Sequence, residues 1–283
     1  MALPVVIQEL LECGVHFGHL SKHWNPKMKS YIFGKKKNVY IIDLEKTAVK
    51  LDEAKEFLKQ KAQSGGRILF VGTKKQIRSV VRELAVSCNM PYVSERWVGG
   101  LLTNYTTVRC RINKYLEYLK NRENGDFEKL KKKEVLKLNR EIERMEKIYS
   151  GVTSLVNLPD CVVVIDPKKE TACVREVSKL GIPIVALIDT DANPEVVDYP
   201  VPGNDDSIKS VKYIVTSLVD AINEGFASID KIEENVKTDT IVEGEVVNPV
   251  DELIDDIKKP LEKSVENAID EKNVQNEDID KAN

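Results

Sequence analysis

The segment from Gly14 to Lys29, GVHFGHLSKHWNPKMK, holds all three histidines of the 283-residue chain, His16, His19 and His23. Imidazole ligates zinc, moves protons near neutral pH and stacks on bases, so metal binding, catalysis and polyanion recognition are the three chemistries to weigh. No cysteine or carboxylate lies between Gly14 and Ile42, so a tetrahedral metal site would have to borrow distant ligands. The local pattern predicts no metal and no cofactor. The same interval interleaves six lysines, Lys22, Lys27, Lys29, Lys35, Lys36 and Lys37, with Phe17, Trp24, Tyr31, Phe33 and Tyr40. Lysines displace counterions from a phosphate backbone, and aromatic faces stack on unpaired bases. His16, His19, His23, Trp24, Asn25 and these lysines are therefore candidate RNA contacts, while Phe33 and Tyr40 are expected in the core.

Three further stretches carry chemistry. In FVGTKKQIR an apolar run ends at Gly72-Thr73, and Lys74, Lys75 and Arg78 open a helix, where unpaired N–H groups attract phosphate. Neither G-x-x-x-x-G-K-[ST] nor G-x-G-x-x-G occurs there, which argues against a nucleotide cradle. In ERWVGGLLTNYTTVRCR, the Gly99-Gly100 pair permits close backbone approach, and Arg96, Trp97, Asn104, Arg109 and Arg111 offer cations, a stacking face and an amide. Trp97 has a second reading, as an anchor of the following helices to the sheet. In DTDANPEVVDYPVPGNDDS, Asp189 and Asp191, with the earlier Asp166, would suit Mg²⁺ or acid–base work in an enzyme, although Asx and Pro-Gly also make ordinary turns and caps.

The elements that must position these residues follow from periodicity. VYIIDL (39–44), RILFVGT (67–73), PYVSERW (91–97), CVVVID (161–166) and PIVALID (183–189) are strand candidates. Between them run helical patterns such as Leu44, Ala48, Leu51, Leu58 and Ala62, or Val211, Val215, Leu218, Ile222 and Phe226. Apolar strands alternating with amphipathic helices predict an α/β fold, a Rossmann-like (flavodoxin-like) parallel sheet covered on both faces. Residues 39–104 and 151–226 would form that domain, preceded by a basic arm over 1–38. Residues 105–150 lack strand signals. Two seams, Val108, Ile112, Tyr115, Leu119 and Leu138, Ile142, Met145, Tyr149, predict an inserted antiparallel coiled-coil hairpin. It is net basic, with 13 Lys+Arg against 8 Asp+Glu over 106–149.

The net charge of -3 conceals a division, because residues 227–283 hold 17 Asp+Glu against 7 Lys and leave residues 1–226 with 36 basic against 29 acidic side chains. A basic body with an acidic tail suits a polyanion-binding protein. The tail has no aromatics and is expected to be disordered. Five cysteines without a C-x-x-C pair argue against a disulfide framework, and no apolar run approaches the ~20 residues of a membrane span, so the expectation is a cytosolic protein.

GVHFGHLSKHWNPKMKSYIFGKKKNVYIIDLEKT, ILFVGTKK, ERWVGGLLTNYTTVR, LPDCVVVIDPKKE and LGIPIVALIDTDANPEVVDYPVPGNDDSI, in this order, resemble the small-subunit ribosomal protein S-two family in its bacterial or organellar form. The resemblance spans about residues 1–226. It implies a non-enzymatic constituent of the small subunit that binds rRNA, acts late in assembly and helps hold the messenger-RNA-binding ribosomal protein S-one. It further implies neighbouring ribosomal proteins as partners, no membrane and no homo-oligomer. His16–Lys37 and Arg96–Asn104 become the RNA-facing segments. The competing readings are a nucleotide-binding α/β enzyme built on the Gly72–Lys75 turn and the 189–206 loop, and a free adaptor using its hairpin.

Overall fold

The computed structural model describes residues 4–129 and 131–239. After a short helix α1 (Val5–Glu12), strands β1 (Phe17–Leu20), β2 (Ile32–Lys36) and β3 (Val39–Ile42) form an antiparallel sheet in the order β1-β3-β2. Lys36 faces Val39, so only Lys37 and Asn38 make the turn, and both take positive φ, 49° and 66°. That conformation matches the right-handed twist of a hairpin, and asparagine tolerates it better than most residues. The basic arm is thus a folded sheet. Val39–Ile42 is a strand as expected, but it does not join the parallel sheet, because β1 and β2 pair antiparallel with it and occupy both its edges.

Helix α2 (Leu44–Gln63) starts at Asp43, whose carboxylate accepts from the Glu45 amide, and buries Thr47, Leu51, Ala54, Leu58 and Ala62 along one stripe. There follow β4 (Ile68–Val71), α3 (Arg78–Ser87), β5 (Tyr92–Val93), α4 (Tyr105–Glu123), α5 (Lys132–Tyr149), β6 (Cys161–Ile165), α6 (Thr171–Lys179), β7 (Ile184–Ile188), β8 (Tyr199–Pro202) and α7 (Ile208–Asp239). Strands β5-β4-β6-β7-β8 form one parallel sheet in that order. The order reverses between β4 and β6, which makes the carboxyl ends of those two strands the switch point of a doubly wound sheet.

Both faces are covered. Ile68 and Phe70 of β4 and Val163 and Ile165 of β6 pack with Leu51 and Leu58 of α2, Val81 of α3 and Val215 and Leu218 of α7. The alternate residues Leu69, Val71, Val162 and Val164 pack with Val174 and Val177 of α6, and with Ile112 and Tyr115 of α4 and Ile142 and Tyr149 of α5. This is the period of two expected of a strand buried on both sides. The helical pair α4 and α5 therefore shares the core at its base, and Arg109 ties it down by donating to the carbonyls of Thr153 and Leu155 at 3.2 and 3.0 Å.

Two further sequence expectations fail here. Tyr199–Pro202 is a strand rather than part of a turn-rich loop; its two prolines are tolerated because β8 is the sheet's edge and the missing donors face away from β7. Phe33 is not core: it is 80% exposed, while Tyr40 is half-buried against Trp24. Residues up to Lys231 form one compact unit. Helix α7 runs to Asp239, and residues 240–283, most of the acidic tail, lie outside the described residues.

Candidate nucleic-acid interface

Every strand of the parallel sheet from β4 to β8 ends in a charged or polar turn at the same edge. Thr73 and Lys74 follow β4, Asp166 follows β6, Asp189, Thr190 and Asp191 follow β7, and Asp205 and Asp206 follow β8. The Lys74 ammonium lies 2.9 Å from Asp166, 2.7 Å from Asp205 and 2.8 Å from Asp206. Burial alone would depress its pKa, yet the carboxylates of Asp205, Asp206 and Asp166 outweigh that and hold it above the ordinary lysine range. Asp205 is pushed up to about 7, first by burial and then by its neighbours Asp166 and Asp189, with Lys74 acting in the opposite sense. Asp166 adopts φ 63°, a left-handed conformation that aspartate tolerates, and its side chain caps the Lys169 amide at 3.0 Å. Below Lys74, buried Glu170 accepts from the Thr73 amide and hydroxyl, and burial raises its pKa against those bonds.

His19 joins this edge from the other sheet. A Cβ on Gly18 would collide with the Thr190 side chain and crowd the Tyr40 carbonyl, so glycine there lets β1 lie against the β7 turn. The His19 amide then donates to Thr190 Oγ1 at 2.8 Å, and its Nδ1 meets Asp189 at 2.9 Å. Nε2 lies 3.6 Å from Asp206 and 3.9 Å from Asp191. The hydrogen bond to Asp189 raises its pKa to about 9, over an opposing effect of burial, with Asp189, Asp191 and Asp205 adding charge attraction. The sequence reading that left His19 without carboxylates is thereby corrected, since the fold supplies them from more than 150 residues away. His19, Asp205 and Asp206 each offer one ligand atom, all within 4.8 Å of one another, a grouping able to hold a divalent cation.

The other two histidines part company with it. His16 packs at a tilt against Phe17, its buried Nδ1 has no hydrogen-bond partner among the described residues, and burial lowers its pKa. His23 is exposed. Trp24 packs on Tyr40 at 4.8 Å between ring centres, and the Asn25 side chain caps the Lys27 amide. Lys27 pairs with Glu195. By contrast Lys22, Lys29, Lys35, Lys36, Lys37 and Lys75 are exposed and have no carboxylate partner among the described residues. Lys35, Lys36 and Lys37 sit together at the β2–β3 turn, beside exposed Phe33.

The third cluster lies before α4. Arg78 is held by Glu95 at 2.5 Å and by the Thr73 carbonyl. Trp97 is buried and donates its indole N–H to Glu176 on α6 at 3.0 Å, the anchoring role rather than the stacking one. Arg96, Asn104 and Arg111 are exposed, and Arg109 is turned inward as described above.

The family model described as Ribosomal protein S2 matches residues 10–225. The chain belongs to the ribosomal protein S2 family. It is 51% identical over 223 residues to small ribosomal subunit protein uS2 of Dictyoglomus thermophilum, a match covering 78% of this chain and 90% of that relative. It is 49% identical over 221 residues to the protein of the same name from Coprothermobacter proteolyticus, covering 78% and 82%. The S2 match contains all three clusters and stops before the acidic tail.

Sequence reasoning singled out Lys74 and Asp166 separately but missed that they pair, and it missed Asp205, Thr190 and Glu176 as organising residues. Gly18 was the available signal for the His19 contact, as a glycine inside an otherwise apolar and aromatic strand. Nothing local marks Glu176, one of several charged residues on an amphipathic helix.

Proposed function

We propose that this chain is a structural constituent of the small ribosomal subunit, as the names of its relatives state for them, and that it binds rRNA without making or breaking a covalent bond. The observation that carries the reading is the cationic edge of the small sheet, Lys35, Lys36 and Lys37, unpaired among the described residues and with Phe33 exposed beside them. Free cations supply salt-sensitive phosphate affinity, and an exposed ring supplies stacking on an unpaired base. Arg96, Asn104 and Arg111 form a second contact. In a bacterium the chain then works on cytoplasmic ribosomes, next to other small-subunit proteins. The S2 family membership supports a part in late subunit assembly and in docking the messenger-RNA-binding ribosomal protein S-one.

The turn and the acidic loop of the enzyme reading do meet, but as ion pairs. Lys74 is surrounded by three carboxylates, which repel a nucleotide phosphate instead of cradling it. Sucrose-gradient fractionation of cell extract at low and high salt tests the proposal. Co-sedimentation with small subunits that weakens only at high salt is expected; a chain that stays at the top of the low-salt gradient contradicts it.

A further inference from the structure

The turn from Trp97 to Thr103 directs three of its backbone amides and two side-chain donors at one carboxylate. Glu176 Oε1 accepts from the Trp97 indole at 3.0 Å and the Gly100 amide at 2.7 Å. Its Oε2 accepts from the amides of Leu102 and Thr103 at 3.3 and 3.4 Å and from the Thr103 hydroxyl at 3.1 Å. Gly100 has φ 84°, the left-handed turn that brings these amides round to a common focus. Converging backbone N–H groups of this kind form an anion-binding concavity. Here the anion belongs to the protein. Partial burial works against the charged form, but these five hydrogen bonds prevail and hold the Glu176 carboxyl below its ordinary range.

An occupied concavity has two consequences for the surface outside it. A phosphate of a bound polyanion is shut out of the backbone nest, so the close approach that a Gly99-Gly100 pair would otherwise offer is not available at those amides. The groups left facing solvent are Arg96, Gly99, Thr103 and Asn104, with Arg96 and Asn104 at the two ends of the turn. Their spacing is set by the carboxylate inside, because α6 is fixed to the sheet through Cys173, Val174 and Val177. We propose that Glu176 is the positioning residue of the Arg96–Asn104 RNA contact, a built-in anion that organises the turn and leaves its side chains alone to meet rRNA. The inference rests on the proposed rRNA-binding role of this turn.

The test uses the full chain and small-subunit rRNA, with Arg96→Ala, Glu176→Gln and the double variant compared by affinity and by urea midpoint. Glutamine keeps the shape but turns one acceptor into a donor facing N–H groups. Glu176→Gln is expected to weaken rRNA binding about tenfold. Arg96→Ala is expected to weaken it in the parent and to add little in the Glu176→Gln background, since a displaced turn no longer presents the guanidinium. Strict additivity of the two effects, or full affinity in Glu176→Gln while Arg96→Ala still weakens binding, overturns the positioning role and leaves the RNA contact standing. Full affinity in Arg96→Ala and Arg96→Glu removes the contact itself. Should Glu176→Gln fail to fold, Thr103→Val removes one donor to the same carboxylate and is expected to lower affinity about two- to threefold; undiminished affinity overturns the inference.

Discussion

Lys74 and the Lys35–Lys37 run both lie where a strand meets a turn, and the fold puts them to opposite uses. Lys74 stands at the switch point of the parallel sheet with its side chain 13% exposed and three carboxylates within 3 Å. Lys35, Lys36 and Lys37 stand on an edge hairpin, exposed and without a carboxylate among the described residues. The difference is one of neighbours: cations already neutralised inside the protein add to its architecture, and cations left over are the ones a polyanion can use. Residue type alone separates neither case.

The largest effect that sharpens this contrast is on stability. Lys74→Met leaves Asp166, Asp205 and Asp206 crowded without their cation, and is expected to lower unfolding free energy by about 3–5 kcal/mol in urea titration. Its rRNA binding, measured where the variant is still folded, should keep the parent's salt dependence. Phe33→Ala tests the open side. An exposed ring contributes little to folding, so the unfolding free energy from urea titration should change by less than about 0.5 kcal/mol, whereas loss of a base stack should cost about 1–3 kcal/mol of rRNA affinity. A large stability loss with unchanged RNA binding would mean that Phe33 serves packing after all.

The smallest effect is a pH dependence at the closed edge. With its pKa raised to about 9 in the folded state, above the ordinary 6.5, His19 contributes stability that is complete below pH 6.5 and is lost as pH rises to 9. Asp205, raised from 3.8 to about 7, loses its contribution lower, as pH rises toward 7. In chelator, the parent is expected to lose about 1 kcal/mol between pH 6.5 and 9.5 through His19, allowing for its partial exposure, and His19→Gln should lose less. Equal slopes would detach His19 from the carboxylates.

How much of this was legible in the sequence depended on the range of the interaction. Apolar runs such as Ile68–Val71, Cys161–Ile165 and Ile184–Ile188, bounded by turns, identified the buried parallel strands because their signal is local. Tyr199–Pro202 was hidden by prolines that only an edge position allows, and Val39–Ile42 was assigned to the wrong sheet because alternation does not encode a partner. The basic, carboxylate-free character of Gly14–Ile42 was visible. That one member, His19, would leave it for Asp189 was not, since the contact with Thr190 that sets it joins residues 171 positions apart. The same limit hid the pairing of Lys74 with Asp205 and of the Gly100 turn with Glu176.

The central claim, that the open lysines and not the closed one meet RNA, is tested most directly by the salt dependence of rRNA binding. The logarithm of the affinity of the Lys35→Gln/Lys36→Gln/Lys37→Gln variant should fall with log salt less steeply than the parent's, by a slope difference of about 2–3, one for each phosphate that the variant no longer neutralises. Lys74→Met should match the parent's slope. An unchanged slope in the triple variant, or a reduced slope in Lys74→Met, would contradict the account.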